Sequence, residues 1–450
     1  MDHVHDQVTA TVDGIPIFDV VGIGFGPANI ALAVAHAEAG GTESMHFLEA
    51  NSGPAWQPGM LMEGTDIQHN PLRDFITPKN PCSPFGFLSY LKANNRLFHF
   101  LNLDSPYPPR SDYARYVSWV ADHFASQVSY NTQATSIALG RLRDPATGRR
   151  LVRVSTESGD ILGRALSFAP GRSANIPEPF AKLLGDRIFH FTEYVQRRDG
   201  WRKDKKPASV AVIGASQSAV EILLDLHATF PDTRINSVFR AFSYVLKDTS
   251  PFTEDLLFPS HTDYFYQASP ESKKALTEQV RRSNYSSVDH DVLKHLYFLR
   301  YEQAVRGDES ISVRNNTDVL EAAWHGDQIR IQLLDRHTGD ADALDVDAVV
   351  LATGFRNFGV GEHEEVSHPL MRDLYGRYEK NPDGTLRVTR DYQLVPTAAD
   401  ADAPPIFLNG LCESTHGLGD AGSFSLLSYR AFDIHRTLTA AVSGRALTDL

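Results

Sequence analysis

Two glycine-bearing turns, far apart in the chain, each follow an apolar strand-like run and each open a helix-like one. The first reads Phe18-Asp19-Val20-Val21-Gly22-Ile23-Gly24-Phe25-Gly26-Pro27-Ala28-Asn29, the second Ser209-Val210-Ala211-Val212-Ile213-Gly214-Ala215-Ser216-Gln217-Ser218-Ala219. A strand, a tight turn of small residues and a helix N-terminus together make an anion site. The backbone can approach a pyrophosphate closely, and the free N–H groups and positive dipole end of the helix face it. One such unit points to one dinucleotide. Two point to a flavin and a nicotinamide on one chain, and so to redox chemistry between two cofactors.

The two turns differ in detail. In the first, Gly22 and Gly24 fit the tight turn and the close approach, while the third position of G-x-G-x-x-G is Pro27. Glu49 ends the next strand-like run, Met45 to Glu49, where a carboxylate accepts ribose hydroxyls. In the second, Ser216 stands for the second glycine, and Gln217 and Ser218 open the helix. Its following strand ends at Arg240 instead of an acid. An arginine there suits the 2′-phosphate of NADPH over NADH, and it reads equally well as a surface cation. A third apolar run, 347–351, ends in Ala352-Thr353-Gly354. In chains with two dinucleotides such a turn returns beside the flavin; taken alone it is any strand end.

The 450 residues predict two or three domains. A formal charge of -13 with scattered basic residues argues against nucleic acid or an anionic membrane as partner. The N-terminus has no basic and apolar regions of a signal peptide, and no apolar stretch is long enough to span a bilayer. Two cysteines, Cys82 and Cys412, give no disulfide framework, and a reducing cytoplasm is expected. The 18 histidines show no ligand spacing such as H-E-x-x-H, so no metal is expected. No G-x-S-x-G elbow is present either. Residues 50–110 read as an irregular insertion whose aromatics Phe85, Phe87, Phe98 and Phe100 belong mainly to a core. Residues 201–207 read as a charged linker, 250–305 as a helix-rich insert, and Ser425 onward as a closing helix.

Several further runs fall in one order along nearly the whole chain: Trp56-Gln57-Pro58-Gly59-Met60, Ile67-Gln68, Leu72-Arg73-Asp74-Phe75, Asn80-Pro81-Cys82-Ser83-Pro84-Phe85, Asn284-Tyr285-Ser286 and Thr415-His416-Gly417-Leu418. With the glycine turns they resemble the flavin-dependent N-hydroxylating monooxygenases, the L-ornithine and L-lysine N-monooxygenases of siderophore assembly. The resemblance implies FAD, NADPH and O2 as reactants, a C4a-hydroperoxyflavin, and attack on its distal oxygen by a neutral side-chain amine. It implies Gln68 near the flavin, with Trp56, Gln57, Thr353 and Gly354 also on the FAD side. It implies Arg73, where the family has a lysine, gripping the substrate carboxylate, Asn284 on the substrate backbone groups, and Ser425 or Ser428 bordering the pocket. It also implies a homo-oligomer, a tetramer or dimer.

The departures cluster at the expected substrate side. Gln57 replaces a usual histidine, Glu254 a common asparagine, and Asn70-Pro71 a usual Ser-Phe; Gly419-Asp420-Ala421-Gly422 looks altered. Glu254 reads equally as a site for a second ammonium or as a solvent-facing acid. The expected fold is α/β, with two Rossmann-like dinucleotide-binding domains and a helical substrate-binding insert. The expected division is 15–205 with 345–440 for FAD, 206–250 with 306–344 for NADPH, and 251–305 for the insert. The expected substrate is L-ornithine, then L-lysine; a diamine, a shorter diamino acid or a carboxamide such as glutamine is the alternative. A disulfide reductase lacks its cysteine pair here, and a non-catalytic flavin scaffold is the remaining rival.

Overall fold

The computed structural model describes residues 10–105, 107–203 and 206–444. Two sheets organise the chain, and each is built around one of the glycine turns. The strand that leads into the first glycine turn, Ile15–Ile23, is apolar apart from Asp19 and lies inside an eight-stranded sheet. It pairs in parallel with Met45–Leu48 on one side and Gly159–Phe168 on the other. Strands covered on both faces lose alternation and read as continuous apolar runs, which is what made these elements visible in the sequence. The helix Pro27–Glu38 begins with proline in its first turn, runs through alanine-rich sequence, and stops before Gly40, whose φ is 66°. Ala134–Arg143, Arg150–Thr156 and Gly159–Phe168 form an antiparallel meander. Ile406–Leu408 returns late in the chain to pair with the end of Gly159–Phe168.

The second sheet repeats this plan. Ile311–Arg314, Arg234–Val238, Ser209–Ile213, Ala348–Leu351 and Ile188–His190 lie side by side, all parallel. The meander Thr317–His325, Gln328–Asp335 and Ala341–Val346 precedes Ala348–Leu351. The α/β architecture with two dinucleotide-type units is therefore present. The strand membership differs from the expected boundaries. Ile188–His190 and Ala348–Leu351 fall inside the ranges assigned to the first unit, yet both hydrogen-bond in the second sheet, Ala348–Leu351 beside Ser209–Ile213 and Ile188–His190 beside Ala348–Leu351. A short buried apolar strand carries no mark of which sheet it joins, so sequence pattern could not place them.

Residues 251–305 are helical as expected, in Pro259–Gln267, Pro270–Val280 and His290–Arg306. Of the expected linker 201–207, residues 201–203 are the end of the helix Tyr194–Lys203, 204 and 205 lie outside the described residues, and 206 and 207 belong to no helix or strand. Phe87 is fully buried, Phe85 and Phe100 pack against the core, and Phe98 is exposed. The closing helix Leu427–Ser443 packs on Pro27–Glu38. Among the described residues no helix is long and apolar enough to cross a membrane.

Candidate functional site

The two turns are built alike. Gly24 has φ 77° and donates its N–H to Leu48 O at 2.8 Å; Gly214 has φ 136° and donates to Val238 O at 3.0 Å. A Cβ on Gly24 would lie 2.4 Å from Ala169 O, and one on Gly214 2.3 Å from Ala352 O. Only glycine takes this conformation with a neighbouring strand's carbonyl so close. Gly214 thus matches Gly24, and Ser216 matches Gly26 as the residue that caps the helix, rather than the second glycine that it seemed to replace. Neither helix start has a side-chain cap, so amide donors there lack the usual side-chain acceptor. Gly22 packs against Phe47, which leaves no room for a Cβ.

What braces each turn differs. Asn29 Nδ2 donates to Gly24 O at 2.7 Å, and Asn29 Oδ1 accepts from Ser167 Oγ at 2.6 Å and Asn409 Nδ2 at 3.3 Å. Glu49 Oε2 accepts the Phe25 N–H at 2.8 Å, while Oε1 accepts the Asn51 N–H and Nδ2. In the second turn the Gln217 N–H already donates to Ser287 O at 3.0 Å. Its side chain donates to Glu221 and accepts the Asp289 N–H. Gln217 is therefore tied to the insert. Arg240 is exposed beyond its strand, 3.1 Å from His363 Nε2, and its carbonyl accepts from Arg336. Glu221, on the same helix as Gln217, holds Arg110 in a buried two-pronged pair at 2.8 Å per bond, and Arg110 also donates to Met60 O and Asp66 O.

The 56–73 segment supplies a third cluster. Gln57 and Gln68 sit at φ 45° and 60°, a left-handed backbone uncommon for residues other than glycine, and kept where surroundings enforce it. Gln68 Nε2 and His69 Nε2 are buried without partners. His69 Nδ1 lies 2.8 Å from Ile67 O; a carbonyl only accepts, so the proton sits on Nδ1 and Nε2 keeps its lone pair. Burial lowers this histidine to about 4, with Lys247 and Arg73 pushing the same way. Tyr113 and Phe424 pack on its ring, each 5.7 Å away, and Trp56 packs in turn on Phe424 at 5.2 Å and on Tyr113 at 5.7 Å. Thr353 and Gly354 are held to Asn175 through Thr353 Oγ1, Thr353 O and Gly354 O.

At the expected substrate side, Arg73 Nη1 donates to Glu254 Oε2 at 2.7 Å. Neither alternative read for Glu254 alone included this partner. Asn284 Nδ2 lies against Gly422, close enough that a Cβ there would be 2.2 Å away. Next to it, Tyr285 OH donates to Glu413 Oε1 and accepts from Arg172, both at 2.6 Å, and Asn357 donates to Glu413 Oε2 at 2.7 Å. Burial raises the Glu413 carboxyl, against the pull of Arg172. Ser425 stays local, its N–H donating to Ser423 Oγ. Ser428 opens to a cavity of about 230 Å³ with Ala31, Phe75, Lys79 and Phe432. That cavity is lined by none of Arg73, Glu254 and Asn284. The altered stretch 419–422 makes a short helical turn in which Asp420 accepts the Cys412 N–H and pairs with Arg430. Both cysteines are free, and among the described residues no group of three or more His, Cys, Asp or Glu is placed to hold a metal.

Residues 16–357 match the profile of the L-lysine 6-monooxygenase/L-ornithine 5-monooxygenase family. The chain belongs to that family. It is 32% identical to an L-ornithine N(5)-monooxygenase of Pseudomonas aeruginosa over 96% of this chain and 95% of that one. It is 35% identical to one of Burkholderia cepacia, over 89% and 90%. Its fold superposes on the ornithine N-hydroxylase of Kutzneria sp. 744, solved with reduced FAD, NADP+ and L-ornithine. There the TM-score is 0.84 and the identity 31%, covering 94% of this chain and 99% of that one. As a member of this monooxygenase family the chain is an enzyme. Sequence reading missed His69, Tyr285, Glu413, Arg172 and the Arg110–Glu221 pair. The repeated Ala-x-Gly that ends a strand in each unit, Ala169-Pro170-Gly171 and Ala352-Thr353-Gly354, was a signal available for the matching turns.

Proposed function

We propose that this family member is an FAD- and NADPH-dependent N-monooxygenase that hydroxylates the side-chain amine of a small amino acid, L-ornithine first and L-lysine second, in siderophore or other hydroxamate assembly. The observation that carries this reading is the pair of matching glycine turns, each opening an uncapped helix and each pressed against a strand-end carbonyl. On this reading the first unit holds FAD: Gly22, Gly24 and Pro27 at the pyrophosphate, Glu49 at the ribose, and Trp56, Gln57, Gln68, Thr353 and Gly354 toward the rest of the cofactor. The orphaned Gln68 amide, buried on a strained backbone, fits a missing polar ligand. The second unit holds NADPH through Gly214, Ser216 and Ser218, with Arg240 at the 2′-phosphate and Gln217 bracing the turn. The helical insert closes the substrate side.

When bound, reduced FAD supplies an oxygen atom drawn from O2, with NADPH as the hydride source. The chain's own residues bind, orient and keep water out. Arg73 and Asn284 hold the substrate's backbone groups, which leaves the side-chain nitrogen at the far end. That nitrogen must be uncharged, because an ammonium has no lone pair. Trp56, Tyr113 and Phe424 pack on one another, and an amine brought against these rings would be disfavoured as the ammonium by desolvation. The neutral His69 offers an acceptor for an N–H. Assembly as a homo-oligomer and a cytoplasmic setting belong to the same proposal; the exposed stripe Tyr297, Phe298, Tyr301 and Val305 supports the former.

The test is hydroxylamine formation by purified, FAD-loaded protein with NADPH against ornithine, lysine, diaminobutyrate, putrescine, cadaverine and glutamine. Product is expected with ornithine, less with lysine, and little with diamines. NADPH consumption that no amine stimulates, with no hydroxylamine formed, would reject the reading.

A further inference from the structure

The cleft of about 230 Å³ onto which Ser428 opens lies between the helices Pro27–Glu38 and Leu427–Ser443 and residues 75–80. Its inner walls are Ala31, Val34, Phe75, Ile76 and Ser428, each at most 6% exposed. Its mouth lies at the exposed Glu38, Ala39 and Lys79, with the Lys79 ammonium 3.7 Å from the centre of the Phe432 ring. The inner side chains are hydrocarbon except for Ser428, whose hydroxyl oxygen has no hydrogen-bond partner among the described residues. A buried water ordinarily makes about three hydrogen bonds, so the inner end suits an apolar guest better than water. From the floor, a chain of two rings runs on to the Gln68–His69 cluster. Phe75 packs on Phe424 at 6.0 Å, and Phe424 packs on His69 at 5.7 Å and on Trp56 at 5.2 Å.

We propose that this cleft is the entry by which O2 reaches the flavin side. The proposal rests on the N-hydroxylase reading above and adds to it the route of the third reactant. Neither the second glycine turn, where that reading puts NADPH, nor Arg73 and Asn284, where it puts the amino acid, lines the cleft. O2 therefore has a way in that the other two reactants do not block. A site that keeps water out cannot leave a water-filled channel open to the reacting centre. An apolar path resolves the conflict, because O2 loses nothing on leaving water while water loses its hydrogen bonds. The path beyond the cleft is not a standing tunnel. Close-packed interiors leave no such void, and O2 passes Phe75 and Phe424 when their rings move.

Xenon, an apolar probe that occupies dry cavities, tests the site itself. Crystals of FAD-loaded protein under xenon pressure should show xenon against Ala31, Val34 and Phe75; an empty cleft overturns the proposal. Ala35→Phe fills the cleft from the helix Pro27–Glu38, and Ala35→Leu is the milder filling should the first variant not fold. Xenon should be displaced in the variant, and re-oxidation by O2 of the NADPH-reduced flavin should slow about tenfold. Flavin content and the rate of reduction by NADPH should stay at wild-type values. General damage to the fold would lower all of these, whereas a blocked entry moves re-oxidation alone. Re-oxidation at the wild-type rate with xenon displaced overturns the proposal, and so does an equal loss in both half-reactions. If re-oxidation follows the cleft but no amine yields a hydroxylamine, the N-hydroxylase reading fails while the O2 entry stands.

Discussion

The first and second glycine turns share one construction and differ in what holds them. Both place a left-handed glycine under a strand-end carbonyl and both start an uncapped helix. The first is braced from within its own sheet and by the returning C-terminal segment, through Asn29, Ser167 and Asn409. The second is braced by the insert, through Ser287 and Asp289 to Gln217. A turn held by its own unit keeps its shape whatever the insert does. A turn held by the insert shares that segment's fate, so the nicotinamide side and the substrate side of the proposed enzyme are mechanically joined.

The largest effect expected from breaking this arrangement is at the weld between the units. Glu221→Ala leaves the buried Arg110 guanidinium unpaired and should cost about 3–5 kcal/mol of stability, read by denaturant unfolding. A loss below about 1 kcal/mol would mean that the pair contributes little. Next, Gly24→Ala and Gly214→Ala separate the turns. Each forces a Cβ against a backbone carbonyl, a strain of about 2–3 kcal/mol. Gly24→Ala should strip flavin from the purified protein. Gly214→Ala should leave the protein yellow but slow flavin reduction by NADPH on the order of a hundredfold. The reverse pattern would exchange the cofactor assignments.

Smaller is the effect at Arg240. Arg240→Ala should raise KM for NADPH roughly tenfold and leave KM for NADH almost unchanged, as loss of one arginine–phosphate contact implies; equal effects would return Arg240 to a surface role. The smallest effect concerns pH. His46 of the first unit stands where Asn236 stands in the second, two residues before the carbonyl that receives the turn glycine's N–H. Burial lowers His46 to about 4, against about 6.5 in an unfolded chain. Between those values the unfolded state binds more protons, so this residue's contribution is fully present above pH 6.5 and is lost as pH falls toward 4. His46→Asn should remove about 1 kcal/mol of the stability lost between pH 6.5 and pH 5.5. An identical pH profile in the variant would place that sensitivity elsewhere.

Much of the frame was legible because it is local. Ile15–Ile23, the turn and Pro27–Glu38 are contiguous, and their chemistry depends on residues adjacent in sequence. Ile188–His190 and Ala348–Leu351 were not placed, because the sheet that a buried apolar strand joins is decided by partners far along the chain. The same holds at the substrate side. Arg73 was read as a cation awaiting a carboxylate, and its protein partner lies on a distant helix. Gln217 was read as a nucleotide contact, and its polar groups instead hold Glu221, Ser287 and Asp289. His69 carried no motif; it stands out only through a buried nitrogen with no partner.

The most direct measurement is the origin of the product's oxygen. FAD-loaded protein given L-ornithine and NADPH under isotopically heavy O2 should release a hydroxylated ornithine whose side-chain nitrogen carries one heavy oxygen, with one NADPH used per product. A product bearing only oxygen from water, or NADPH oxidation that yields hydrogen peroxide and intact ornithine alone, would contradict the account.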